Sequence, residues 1–160
     1  LGILAFVIGI YLLLGMLISQ GFILEPASKW LGNVGAAGSV AEKELIHWET
    51  ELESGLARAQ SEGKPVVIDT WATWCANCRV LEKKTFGNTS VADEAGRFVA
   101  IRVQLEKSDT PTTQDFMRRF GLRHYSLPTT LLLDAQGNVR KIMQGVVDPE
   151  EMIAEMQKVN

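Results

Sequence analysis

Cysteine and histidine are scarce in this chain, with two of each among 160 residues. Two cysteines allow at most one bridge within the chain, which rules out a disulfide-rich scaffold, and they are too few for a four-thiolate zinc site. A surplus of positive charge is missing as well. Sixteen Lys and Arg stand against 19 Asp and Glu, a formal charge of −3, so the chain lacks the basic footprint with which nucleic-acid binders displace counterions. Nucleic acid is therefore not an expected partner. No internal repeat or low-complexity block interrupts the residues from 44 onward.

The chain does hold an apolar excess, and it is unevenly placed. A mean hydropathy of +0.06 averages two unlike parts. From Leu1 to Leu24 there is no charged residue, and at about 1.5 Å per residue this run matches the roughly 30 Å hydrocarbon layer of a bilayer. A transmembrane helix is expected over 1–24. A secretory signal peptide would carry Lys or Arg before its apolar core, and a buried core helix would be striped rather than hydrophobic all round. Leu1 is not a natural start residue, so the chain is expected to be cut from a longer membrane protein near the start of its last span. Glu25-Pro26 ends the run, and Gly32, Gly35, Ala36, Ala37, Gly38 and Ser39 make a small-residue stretch read as a flexible tether over 25–43. Trp30, beside Lys29, suits either the headgroup level or an ordinary linker. Residues 44–160 are long enough for one domain with its own core.

Within that domain helices and strands alternate. Glu51 to Glu62 is predicted helical, with Leu52, Leu56 and Ala59 on one face, Thr50 as N-cap and Gly63-Lys64-Pro65 as the stop. Val66 to Ala72 is a near-continuous apolar run, as in a strand buried on both faces. A helix over 75–85 and a strand over 98–105 complete a βαβ unit. A helix at 112–120 follows, then strands at 129–133 and 139–144 about the turn 134–138. A last helix is capped at Asp148-Pro149-Glu150 and presents Met152, Ile153 and Met156. A short strand over Leu45 to Trp48 precedes the series. The fold class is α/β, a central mixed sheet flanked by helices.

The reactive chemistry falls where the first interior strand gives way to a helix, at Trp74-Cys75-Ala76-Asn77-Cys78. Cysteines three apart at a helix start can bridge through a tight loop, and the first meets unpaired amides and the helix dipole, both of which favour a thiolate. Cys75 is thus the expected nucleophile. Cys78, one turn further in and less exposed, resolves the mixed disulfide. The same spacing occurs in half of a zinc site, in metal-chaperone loops and as a pair of inert buried thiols. A metal reading gains nothing from His47 and His124, which lie in unrelated stretches.

Asp69 to Cys78 (DTWATWCANC), followed by Leu127-Pro128-Thr129, resembles the thioredoxin superfamily over residues 44–160. Within it, Cys78 to Phe86 (CRVLEKKTF) behind an apolar run and a tether is most similar to the C-terminal periplasmic domain of the DsbD family of transmembrane thiol:disulfide interchange proteins. The resemblance implies a thioredoxin fold and a protein-disulfide reductase at a bacterial inner membrane, its domain in the periplasm. Electrons would arrive from an integral membrane redox domain upstream. They would leave to protein disulfides on a periplasmic thioredoxin-like or immunoglobulin-like domain. No cofactor or metal is implied beyond the Cys75–Cys78 disulfide. Pro128 matches the family's cis-proline beside the cysteines, and Trp74, Ala76, Asn77 and Leu127 are implied to meet the partner.

Asp69, an acid inside an apolar strand, must be paired, protonated or near water. Glu82 falls on the helix face of Cys75 and Cys78. Both acids are expected to tune the cysteine pKa. Ala76-Asn77 replaces the family's usual Gly-Pro. The approach to Pro128 is about two residues longer than usual, with Ser126 in place of Gly; Arg123 and His124 in it are read as solvated. A tethered thioredoxin of the cytochrome-maturation type and a metal-holding CxxC module are the alternative functions.

Overall fold

The computed structural model describes residues 7, 8, 10, 12 and 44–159. Those four N-terminal residues are helical with exposed side chains. The rest of the span expected at 1–24, and the whole tether expected at 25–43, lie outside the described residues. Among the described residues no helix is long and apolar enough to cross a membrane.

The unit Glu44–Asn160 carries, in chain order, β1 (Trp48–Glu49), α1 (Leu52–Glu62), β2 (Val66–Trp71), α2 (Ala76–Leu81), a π-helical turn (Glu82–Phe86), α3 (Thr89–Ala95), β3 (Val99–Gln104), α4 (Pro111–Arg119), β4 (Thr129–Leu133), β5 (Val139–Gln144) and α5 (Pro149–Met156). The strands form one sheet in the order β1-β3-β2-β4-β5. β1 and β2 flank β3 in parallel, whereas β2–β4 and β4–β5 are antiparallel. This is the mixed sheet of the thioredoxin fold.

Side-chain alternation along each strand builds two cores. Val66, Ile68, Val99, Ile101, Leu131 and Leu133 pack with Ala59, Phe116 and Phe120 of the α1 and α4 layer. Val67, Ala100, Leu132 and Met143 point the other way, to Leu81, Val91, Met152 and Met156. Met152 and Met156 are fully buried, and burying a side chain of that size stabilises by roughly 1.5–3 kcal/mol. β2 and β4 are buried along nearly their whole length, Asp69, Thr70, Thr129 and Thr130 included.

Several expectations need correction at element ends. α1 starts at Leu52 with Glu51 as N-cap and no side-chain cap bond, so Thr50 does not cap it. Asp148 is the N-cap of α5 but makes no side-chain cap bond; its carboxylate is drawn 2.5 Å from Lys84 Nζ instead. The short first strand lies at Trp48–Glu49, later than expected. α3 was not anticipated, and it is capped by Asn88, whose side chain accepts from the Ser90 and Val91 amides.

The helix expected over 75–85 is α2 followed by the π turn, in which the Gly87 amide donates to Glu82 O at 2.7 Å. A Cβ at Gly87 would come within 2.6 Å of Lys83 O, so only glycine closes this wider turn without a shift. The extra residue brings Phe86 edge-on to Trp48, with ring centroids 5.0 Å apart. It also lets the Thr85 hydroxyl donate to Val147 O.

Candidate active site

The end of β2 and the start of α2 meet at the cysteines. Cys75 and Cys78 form a disulfide. Cys75 is the N-cap of α2, and its Sγ accepts the Cys78 amide at 3.1 Å. One otherwise unpaired amide of the helix start is therefore aimed at sulfur, the arrangement that favours negative charge there. Cys78 Sγ lies 3.9 Å from Thr70 O. Both cysteines are buried, and Cys78, at 7% exposure against 3% for Cys75, is not the more hidden of the two as expected. Cys75 and Cys78 cluster with Ala72, against Trp71 and Leu127, so the bridge is covered on the side of β2 and the proline loop.

The Leu127–Pro128 peptide is cis. Pro128 is buried and Leu127 half-buried. Pro128 O accepts the Gly145 amide at 2.8 Å, and Gly145 has φ 85°, a conformation that glycine adopts without steric cost. Ser126 O accepts from the Thr129 hydroxyl at 2.7 Å. Trp74, Ala76 and Asn77 are exposed around the disulfide, Trp74 at 57%. Arg123 and His124 are exposed loop residues.

The two acids fall on one side of this centre. Asp69, at 3% exposure, shares a pocket of about 280 Å³ with Cys78, Glu82 and Arg102. Cys75 does not line it. Arg102 Nε stands 3.4 Å from Asp69 Oδ2, while its Nη1 lies 3.1 Å from Glu82 Oε1 and 3.6 Å from Glu44 Oε1. The guanidinium also stacks over Trp48 at 4.7 Å. Burial pushes the Asp69 carboxyl up to about 7 against the attraction of Arg102, and the Glu82 charge pushes in the same direction as burial. Asp69 is thus an acid that titrates near neutrality, placed beside the second cysteine.

Three further residues belong to the site. Arg102 was legible in principle: Asp69 and Arg102 are each the fourth residue of a buried strand, and parallel register pairs them. Glu106, just past β3, holds the loop before Cys75. Its carboxylate accepts the Thr73 amide at 2.9 Å and the Thr73 hydroxyl at 3.0 Å, and its carbonyl accepts Trp74 Nε1 at 2.8 Å. Hydrogen bonds from Gln104 and Thr73 hold the Glu106 carboxyl below its usual range. Tyr125 donates to Leu105 O at 2.6 Å and sets its ring 6.5 Å from that of Trp74. Glu106 and Tyr125 carry no local sequence signal, because the segments they hold lie far from them in sequence. Among the described residues no three His, Cys, Asp or Glu side chains gather as a metal site.

A disulfide of two cysteines at the start of a helix, beside a cis-proline on a mixed sheet, is the arrangement of the thioredoxin class. The chain belongs to the thioredoxin-like domain family, which it matches over residues 52–160. It is 33% identical over 132 residues to the thiol:disulfide interchange protein DsbD of Vibrio cholerae, an alignment covering 81% of this chain and 21% of that protein. The chain spans about a fifth of the length of the curated relatives it matches. Among solved structures, the reduced C-terminal domain of Neisseria meningitidis DsbD aligns with a TM-score of 0.59 at 21% identity, covering 68% of this chain and 94% of that one. A thioredoxin from Thermus thermophilus aligns with the same TM-score at 23% identity, covering 71% of this chain and 85% of that one. At those identities the structures speak for the fold.

Proposed function

We propose that this chain is a reductase in a membrane-anchored thiol:disulfide relay, passing electron pairs from an integral membrane redox domain to protein disulfides in the bacterial periplasm. The observation that carries the reading is the Cys75–Cys78 disulfide at the start of α2, with an acid of near-neutral pKa in a pocket against Cys78. The apolar run at 1–24 supports the anchor, and the likeness to DsbD proteins supports the relay.

In the reduced state the Cys75 thiolate attacks one sulfur of the partner disulfide and expels the other as a thiolate, giving a mixed disulfide. Cys78 then loses its proton, attacks Cys75 Sγ, and expels the second partner sulfur. Two electrons have moved to the partner, which takes up two protons, and Cys75–Cys78 is oxidised. Asp69 in its ionised form accepts the Cys78 proton at the second step. Near pH 7 it is divided between its two forms, so it can pass that proton on through the pocket. Trp74, Ala76, Asn77 and Leu127, with Pro128 behind them, form the surface on which the partner sulfur is presented.

Trapping in cells tests the order of attack. Cys78→Ser should accumulate mixed disulfides with periplasmic partners, and Cys75→Ser should not. Equal trapping by the two variants would overturn the assignment, and mixed disulfides with cytosolic proteins alone would overturn the compartment.

A further inference from the structure

β2 and β4 place two unpartnered oxygens side by side beneath this centre. Asp69 on β2 is the registered neighbour of Thr130 on β4. Cross-strand neighbours project from the same face with Cβ atoms about 4.5–5.5 Å apart. The alternation agrees: Asp69 shares its face with Val67, and Thr130 shares its face with Leu132, both of the α2 and α5 side core. Asp69 is 3% and Thr130 1% exposed. Asp69 Oδ1 and Thr130 Oγ1 are each shut off from solvent with no hydrogen-bond partner. A buried polar atom left unpaired costs about 1–3 kcal/mol, and two such atoms on adjoining side chains are most cheaply satisfied by one water between them.

We propose that the Thr130 hydroxyl and Asp69 Oδ1, which make no direct bond to each other, are joined through one buried water, and that Thr130 is a positioning residue for the acid that serves Cys78. The inference rests on the reading of Asp69 as that acid. A hydroxyl both donates and accepts, so through that water it can pair with either form of the carboxyl. The water's bond to the anion is charge-assisted and the stronger of the two. Thr130 therefore favours ionised Asp69, acting with Arg102 of β3 and against burial and Glu82 of the π turn. The remaining groups around the acid are Cys78 and Arg79 of α2, which line the same pocket, and Glu44, which reaches Arg102. Met143 of β5, registered with Thr130, closes the far side without a titratable group. A threonine here is not demanded by packing, since the surrounding face is aliphatic.

The test is the carboxyl titration of Asp69, read by NMR on the full oxidised chain in detergent micelles with labelled aspartate. The signal is assigned by its loss in Asp69→Asn. Thr130→Val, which keeps shape and strand preference, should raise the Asp69 midpoint by about one pH unit, and Thr130→Ser should restore it. Thr130→Ala gives the same reading if the valine variant does not fold. An unchanged or lowered midpoint in a folded hydroxyl-less variant overturns the proposal. Failure of the parent reading appears elsewhere: Asp69→Asn would then leave the pH profile of Cys78 alkylation unmoved, while the response of Asp69 to Thr130 is still measured.

Discussion

Replacing Asp69 by Asn should stabilise the oxidised Glu44–Asn160 unit, and by an amount that grows with pH. Asp69 is raised from 3.8 to about 7 in the folded protein, chiefly by burial, with Arg102 opposing and Glu82 assisting. The folded state therefore binds the proton more tightly than the unfolded chain. Between those two values the unfolded state has released its proton while the folded state keeps it, so wild-type stability falls as pH rises. The separation is about three pH units at about 1.4 kcal/mol each, which puts the full loss near 4 kcal/mol. Below about pH 3 both states carry the proton and Asp69 costs nothing electrostatic. Above about pH 7 the loss is complete and constant. Asparagine has the same shape and no charge, so it removes the pH-dependent part while keeping a polar group in the pocket. Urea denaturation of wild type and Asp69→Asn at half-unit steps from pH 3.5 to 8.5 reads the difference directly. It should be small at the acid end and approach about 4 kcal/mol at pH 8. A difference that is flat across this range, or a wild type that gains on the variant as pH rises, would refute the account of Asp69 as a buried acid held neutral.

Other consequences are open to simpler assays. Glu106→Ala releases the Thr73 amide and hydroxyl from their shared carboxylate; the loop under Trp74 should loosen, raising KM for a protein disulfide about tenfold while leaving reaction with a small aromatic disulfide near wild type. Equal losses on both substrates would show that Glu106 does not act through the docking surface. Asp69→Asn with Glu82→Gln removes two negative charges beside the reduced pair, so thiol alkylation should shift to lower pH by about one unit; an unchanged or higher midpoint counts against tuning by either acid. A fragment beginning at Glu44 should fold as a redox-active monomer, because the cores of this unit and its disulfide lie within 44–159; aggregation of that fragment, seen by size-exclusion chromatography, would move the boundary.

What could be read from the sequence divides along physical lines. β2, β3 and β4 stood out as short, largely apolar runs, as expected of interior strands, and β5 by its place after the turn at 134–138, while α1, α4 and α5 stood out because Pro or Gly punctuates their ends. α3 escaped because seven residues carry barely two turns, with only Val91 and Ala95 buried. The π turn escaped because a one-residue change of helical phase has no compositional mark beyond Gly87. The cysteines, Pro128 and the two acids were visible as motif or anomaly. Glu106, Tyr125 and Thr130 were not, since each acquires its role only when strand register or a loop crossing brings it to a distant partner, and Arg102 could have been found only by assuming the parallel register that pairs it with Asp69.

The register also changes what the acids can be expected to do. Helical spacing of three and four residues puts Glu82 on the face of both cysteines, yet the pocket gathers Asp69, Glu82 and Arg102 around Cys78 and leaves Cys75 outside. Cys75 instead receives the Cys78 amide at the helix start. The two sulfurs thus stand in different surroundings: a backbone amide is aimed at Cys75, and a pocket bearing two acids and Arg102 borders Cys78. That division suits a reductant. In the mechanism proposed above the first attack needs a thiolate ready on contact, whereas the second should wait until a partner is bound, and a carboxyl that exchanges its proton near pH 7 would supply the base at that step without holding Cys78 ionised beforehand. Arg102 sets the balance, because one guanidinium is shared among Asp69, Glu82 and Glu44, and any partner that draws Glu82 away from it leaves more of its charge to Asp69.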